Sequence, residues 1–177
     1  ALWTNNLTHE TATFSNGMRG NLYYEDNKLA LAKADFEKVD QQPDARLDPD
    51  KYNYLYTALG VMESKADKKK AVAYFLKAAT ISPEVPNFVN LATAYQAIQV
   101  FDKAEGLLLQ CNAKEPNNKD VYIKLSALYF ESKQHDKAVR LLNKAIDLGS
   151  KTYSSTSLEP IFKSLWAMLK KQKKTFK

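Results

Sequence analysis

Apolar residues recur three and four positions apart along most of this chain, and the groups they form recur every 34 residues. Phe88, Leu91, Tyr95, Ala104, Leu108 and Cys111 return as Tyr122, Leu125, Tyr129, Ala138, Leu142 and Ala145. Each group splits into two amphipathic stripes, and each stripe predicts a helix. Polar turns separate the stripes, at Gln99–Asp102 and Lys133–Asp136. Asp102 and Asp136 stand where N-caps of the second helices are expected. Pro116 and Gly149 stand where those helices should stop. A unit of this length cannot bury its apolar face alone, so the pattern predicts a stack of repeats.

The pattern continues upstream. Ala71, Phe75, Ala78 and Pro83 precede Ala104, Leu108, Cys111 and Pro116 by 33 residues each, the same unit one residue shorter. Its first helix has two registers. Leu55, Leu59 and Met62 keep the packed stripe apolar, and this register is preferred. Tyr56, Leu59 and Gly60 look more like the repeat but put Glu63 on the packed side. Further upstream, Gly20, Tyr23, Ala32, Phe36 and Val39 form a fourth copy. Between these copies, Gln41–Asp50 contains Pro43 and Pro49 among acids and amides and reads as an extended loop. At the start, Leu2, Trp3 and Leu7 are spaced as in a short helix. Near the end, Leu158, Ile161, Phe162, Leu165, Trp166 and Leu169 mark an amphipathic helix with Pro160 in its first turn, suited to cover the last repeat.

The spacing large–x2–Leu–small–x2–Tyr, then Ala–x3–large–x2–small, then Pro, resembles the tetratricopeptide repeat. It is carried by Phe88, Leu91, Ala92, Tyr95, Ala104, Leu108, Cys111 and Pro116, and again by Tyr122, Leu125, Ser126, Tyr129, Ala138, Leu142 and Ala145. The expected fold is all-α, an α-solenoid of about four helix-turn-helix repeats with a C-terminal capping helix. The expected divisions are an N-terminal helical segment at 1–12, repeats at 13–46, 52–84, 85–118 and 119–152, the cap at 153–171 and a basic tail at 172–177. The resemblance implies that the first helices line a concave groove for a peptide or partner protein. Under these registers the groove is lined by Asn21, Tyr24, Asn53, Tyr56, Asn90, Thr93, Gln96, Lys124 and Phe130. Amides, hydroxyls and aromatics of this kind suit an extended peptide backbone and its side chains.

Relatives that clamp a chaperone's terminal carboxylate use Lys, Asn and Arg at five groove positions. Here those positions hold Tyr56, Gly60, Asn90, Asp120 and Lys124. Only Asn90 and Lys124 suit a carboxylate, and Asp120 repels one, so this clamp is not expected. A second resemblance concerns Leu2-Trp3 followed by Met18-Arg19-Gly20-Asn21-Leu22-Tyr23-Tyr24. It is similar to a junction that leads from a membrane span into tetratricopeptide repeats in certain membrane proteins, some of them glycosyltransferase-like. On that reading the chain is a soluble accessory domain, cytoplasmic or periplasmic, of a membrane-anchored protein.

Charge sharpens these alternatives. The formal net charge is +6, and Lys163, Lys170, Lys171, Lys173, Lys174 and Lys177 account for all of it, so residues 1–162 are neutral. A neutral body lacks the basic stripe that phosphate contacts need, and nucleic acid is not an expected partner. A basic tail near anionic lipid would fit the membrane-bound reading. The chemistry of catalysis is sparse. His9 and His135, the two histidines, have no cysteine or carboxylate pair at ligand spacing, and no phosphate loop or nucleophile elbow is visible. No metal, cofactor or enzymatic activity is expected. The one cysteine, Cys111, aligns with Val39, Ala78 and Ala145 and reads as a small packing residue. No stretch approaches the length of a membrane span, and Ala1–Glu10 lacks the basic start and apolar run of a signal peptide.

Overall fold

The computed structural model describes residues 2–41, 49–150 and 167, with side chains placed in 12–41, 50–149 and at Ala167. The described residues between 2 and 150 form α1 (Leu2–Glu25), α2 (Leu29–Gln41), α3 (Pro49–Ala66), α4 (Lys68–Ile81), α5 (Val85–Ala97), α6 (Phe101–Lys114), α7 (Lys119–Glu131) and α8 (His135–Ser150). Among the described residues there is no strand. The chain forms two compact units, Ala1–Asn87 and Phe88–Lys177. In the first, α1 pairs with α2 and α3 with α4, and α3 also packs on α1 and α2. In the second, α7 pairs with α8 and lies against α6. The expected N-terminal segment and the first helix of the first repeat are one continuous helix, α1. The expected cap at 153–171 and tail at 172–177 lie outside the described residues, apart from Ala167. Gln41 closes α2 while Pro49 and Asp50 open α3, so both ends of the expected loop are helical. Pro49 is pre-organised for a first turn.

Most hairpin turns close without glycine. Asn27, Gln99 and Lys133 take left-handed backbone, with φ of 57°, 61° and 62°. Around each, two amides fold back onto the preceding helix. Asn27 N–H donates to Tyr24 and Lys28 N–H to Tyr23 (3.0 and 2.7 Å), and Lys133 N–H donates to Phe130 and Gln134 N–H to Tyr129 (3.0 and 2.7 Å). This is the Schellman pattern, which satisfies carbonyls that the helix end would leave unpaired. The turn between α3 and α4 has no such residue. Ala66 stays helical, Asp67 N–H donates to Glu63 at 2.8 Å, and the Asp67 side chain accepts from the amides of Lys69 and Lys70. This hairpin is one residue shorter than the others, 15 residues from Gly60 to Phe75 against 16 from Gly20 to Phe36, and the residue is lost from the turn.

That placement corrects the register of α3. Gly60 stands where the other first helices carry Gly20, Ala92 and Ser126, and a Cβ on Gly60 would lie 2.7 Å from the Phe75 ring. A Cβ on Gly20 would likewise lie 2.7 Å from Phe36. In the second unit, Ala92 and Ser126 are fully buried, and the residues matching the two phenylalanines are Leu108 and Leu142. A ring goes with glycine and a leucine with a slightly larger residue, as close packing requires. The packed stripe of α3 is thus Tyr56, Leu59, Gly60 and Glu63, with Leu55 buried beside it, while Met62 of the preferred register is only half-buried.

Three further expectations change. Asp102 and Asp136 are not N-caps, because α6 is capped at Val100 and α8 begins at His135. Both aspartates instead lie in first turns, where a negative charge suits the helix dipole. Side-chain caps are supplied by Asp67 and by Asn118, which accepts from the amides of Asp120 and Val121. Gly149 does not stop α8, which runs on to Ser150. Cys111 is fully buried, and burial pushes its thiol up, as a packing residue requires.

Candidate functional site

In the first unit, α1 and α3 supply the candidate residues. Asn21 and Tyr24 are half-buried one turn apart on α1. The Tyr24 ring lies edge-on to Tyr54 of α3, with centroids 6.2 Å apart at 87°, and tilted against Phe36 at 6.4 Å. Asn53 is half-buried on α3, and its Oδ1 has no hydrogen-bond partner among the described residues. Tyr56 lies elsewhere. By the register shift it belongs to the packed face and is buried, with Tyr52 and Tyr74 stacked near it at 6.0 and 6.3 Å. Lys77 Nζ sits 4.9 Å from the centre of the Tyr56 ring and bonds Asp40 at 2.5 Å. Burial, together with Asp40, raises the Tyr56 hydroxyl well above the usual tyrosine range.

In the second unit, Asn90, Thr93 and Gln96 follow one another along one side of α5. Thr93 is exposed, but its hydroxyl already donates to Val89 carbonyl at 2.8 Å. Asn90 and Gln96 are half-buried amides. On α7, Lys124 and Phe130 are half-buried, and Phe130 packs on His135 with ring centroids 5.4 Å apart. His135 thus serves the hairpin between α7 and α8.

Sequence reasoning missed two features of this surface. The first is a polar junction between successive repeats. Lys33 Nζ of α2 lies 2.5 Å from Oε1 of buried Glu63 on α3. In the second unit the hydroxyl of Tyr129 on α7 donates to Oε1 of Glu105 on α6. Glu105 follows Lys33 by 72 residues, and Tyr129 occupies the repeat position of Glu63, so both contacts use one pair of positions. The Glu63 bond raises the Lys33 ammonium. Burial and Glu105 push the Tyr129 hydroxyl up to about 12. A further ion pair lies inside the first hairpin, where Arg19 bonds Asp35 at 2.6 and 2.7 Å and holds its carboxyl below the usual range.

The second missed feature is a pocket. An open space of about 380 Å³ lies between α1, α2 and the start of α3, over buried Phe36, Val39 and Leu55. Its mouth is marked by exposed Phe14 and Met18, with Lys51 Nζ 4.7 Å from the centre of the Phe14 ring. A missing side chain, at Gly17, is the signal in the sequence that could have pointed to it. Among the described residues no cluster of His, Cys, Asp and Glu could hold a metal ion. No described helix is long and apolar enough to cross a membrane.

Helix hairpins, three of the four closed by Schellman turns, with a small first-helix residue at the position facing a large second-helix side chain, are the units of a helical repeat. Residues 99–151 match the family model of the tetratricopeptide repeat. Residues 99–151 thus carry the tetratricopeptide repeat, and the chain has an all-α repeat fold. Its fold is similar to that of YrrB, described as a tetratricopeptide-repeat protein with an unusual peptide-binding site. That match has a TM-score of 0.69 and 21% identity over 81% of this chain and 72% of that one. It is also similar to MamA, with a TM-score of 0.65 and 18% identity over 80% of this chain and 75% of that one. A third match, from the Cut9–Hcn1 assembly of the APC/C, has a TM-score of 0.64 and 19% identity, over 86% of this chain but 29% of that one. No curated protein matches the sequence.

Proposed function

We propose that the chain is a non-catalytic scaffold that holds a peptide segment or a partner protein against the first-helix faces of its repeats. The observation that carries this reading is the division of labour among side chains. Phe36, Leu59, Leu108, Leu125, Leu128 and Leu142 are taken up in packing, whereas Asn21, Tyr24, Asn53, Asn90, Gln96, Lys124 and Phe130 are only half-buried and Thr93 is exposed. Half-buried amides and rings bind an extended backbone with little further loss of side-chain freedom. The peptide-binding site described for YrrB is in keeping with this use of the fold. Tyr56 contributes by supporting the face from within. The test is a pull-down and peptide-array comparison of the native protein with Asn90→Ala/Lys124→Ala. Reduced capture of recovered partners is the expected result. Unchanged capture of every partner would overturn the assignment of this face.

A second reading, an accessory region of a membrane-bound assembly, rests on the six lysines of 163–177. Each lysine close to an anionic surface adds about 1 kcal/mol. Liposome co-sedimentation that is insensitive to salt, or unchanged when 170–177 is removed, would count against it.

A further inference from the structure

Helix α1 contains two glycines three residues apart, and packing requires only one of them. Gly20 is imposed by the Phe36 ring, since a Cβ there would stand 2.7 Å from it. A Cβ on Gly17 would meet Val39 Cγ2 at 4.0 Å, an ordinary contact, and nothing nearer. Gly17 lies in the interior of a 24-residue helix, where glycine costs about 1 kcal/mol relative to alanine. The corresponding positions of the other three first helices carry Thr57, Val89 and Ile123. Gly17 lines the pocket of the first unit, and a side chain at this position would occupy part of it.

The pocket has a sorted lining. Phe36, Val39 and Leu55 form a buried apolar floor. Phe14 and Met18 form a rim, each nearly half exposed. Lys51 lies exposed at the same mouth over the Phe14 ring, and among the described residues it has no carboxylate partner. An apolar floor favours an apolar guest. A lysine at the mouth, held beside an aromatic face, favours a negative group next to that guest.

We propose that this pocket receives one apolar side chain of a peptide partner, Leu or Phe in size, and that Lys51 takes the carboxylate of an adjacent Asp or Glu. The inference rests on the peptide-binding reading above and adds the partner's chemistry: an apolar anchor beside an acid. Gly17 sets the depth of the pocket and Lys51 its charge preference.

The test uses the full chain and fluorescein-labelled heptapeptides on one Gly/Ser scaffold, with Leu-Asp, Phe-Asp, Leu-Lys or Ala-Asp at the centre. Fluorescence polarisation should rank Leu-Asp or Phe-Asp above both Leu-Lys and Ala-Asp by roughly tenfold. Gly17→Val places in α1 a residue that α5 already carries at this position, and it should weaken the best peptide at least about tenfold while leaving the helical circular dichroism and melting temperature no lower. Lys51→Glu lies on an exposed surface and should invert the Asp-over-Lys preference. Asn90→Ala/Lys124→Ala, in the other unit, should leave the ranking unchanged. Equal binding of all four peptides, no binding, or an unaltered ranking in Gly17→Val would overturn the pocket assignment. Partners captured through Asn90 and Lys124 would then still support the broader reading, so the two failures are distinguishable.

Discussion

Lys33 and Glu63 form an ion pair at 2.5 Å between α2 and α3, with the Glu63 side chain 3% exposed and the lysine 36%. The same two repeat positions hold Glu105 and Tyr129 in the second unit, where the acid has moved to the other helix and accepts from a phenol. One junction thus works with opposite polarity, because either arrangement gives the carboxylate, buried at Glu63 and half-buried at Glu105, a partner on the other helix. The donor can stand on either helix provided that the acid stands on the other.

This exchange is open to test by a swap. Lys33→Glu alone sets two carboxylates against each other and should lower stability by about 2–4 kcal/mol, as removal of a buried charge's partner does. Adding Glu63→Tyr recreates the Glu105–Tyr129 pair at the first junction and should recover about half of that loss. Denaturant melts of the four proteins of the cycle give the coupling. A double variant no more stable than Lys33→Glu would show that the junctions are not equivalent.

The glycine–phenylalanine pairs predict a second coupling. Gly60→Ala forces a methyl to within 2.7 Å of the Phe75 ring. Overpacking of this kind costs about 1–3 kcal/mol, which outweighs the helix-propensity gain of roughly 1 kcal/mol at its upper range. Phe75→Leu alone opens a cavity and also destabilises. The two together reproduce Ala92 and Leu108, so the double variant should be more stable than the sum of the single losses implies. Additive losses would mean that α3 and α4 shift apart to relieve the contact.

The readability of the chain follows from where its irregularities lie. The step from Phe88 to Tyr122 was legible because both hairpins contain the same turn, with a left-handed residue at Gln99 and Lys133. The α3 register was not, because its turn lost that residue and Glu63 broke the apolar face. The partner that makes Glu63 acceptable, Lys33, sits on another helix beyond the reach of any local periodicity. Asp102 and Asp136 misled for a related reason. The left-handed residue ends the turn early, so each helix begins before the expected cap. Gly17 is not marked by the pattern because a stripe of apolar positions records the side chains present, and this pocket is lined in part by a residue without one.

The left-handed turns make a prediction about backbone alone. At Lys133, φ is 62°, a conformation that costs a residue with a Cβ about 1–2 kcal/mol. Lys133→Gly removes that cost and regains some chain entropy in the unfolded state, for a net stabilisation of about 0.5–1 kcal/mol. Ala66→Gly, at the shortened turn where the backbone stays helical, should instead destabilise by about 1 kcal/mol. The sign of the difference in denaturant midpoint reads this directly. Equal effects at both sites would contradict the assigned turn.

Tyr129 sets the alkaline limit of the second unit. Its hydroxyl is pushed up to about 12, first by burial and then by its bond to Glu105. In the unfolded chain a tyrosine titrates near 10. Between these values the folded protein keeps the phenol proton and the unfolded chain loses it, so the unfolded state binds fewer protons and stability falls as pH rises. The contribution is complete below about pH 10 and is lost through about pH 12. Tyr56, raised in the same direction by burial and Asp40, adds to the slope in the first unit. Tyr129→Phe removes the titration, at the cost of leaving Glu105 without its donor, and should flatten the pH dependence while lowering stability at neutral pH. Thermal melts of both proteins across this range check the slope, and a Tyr129→Phe profile parallel to the native one would rule out this residue as its source.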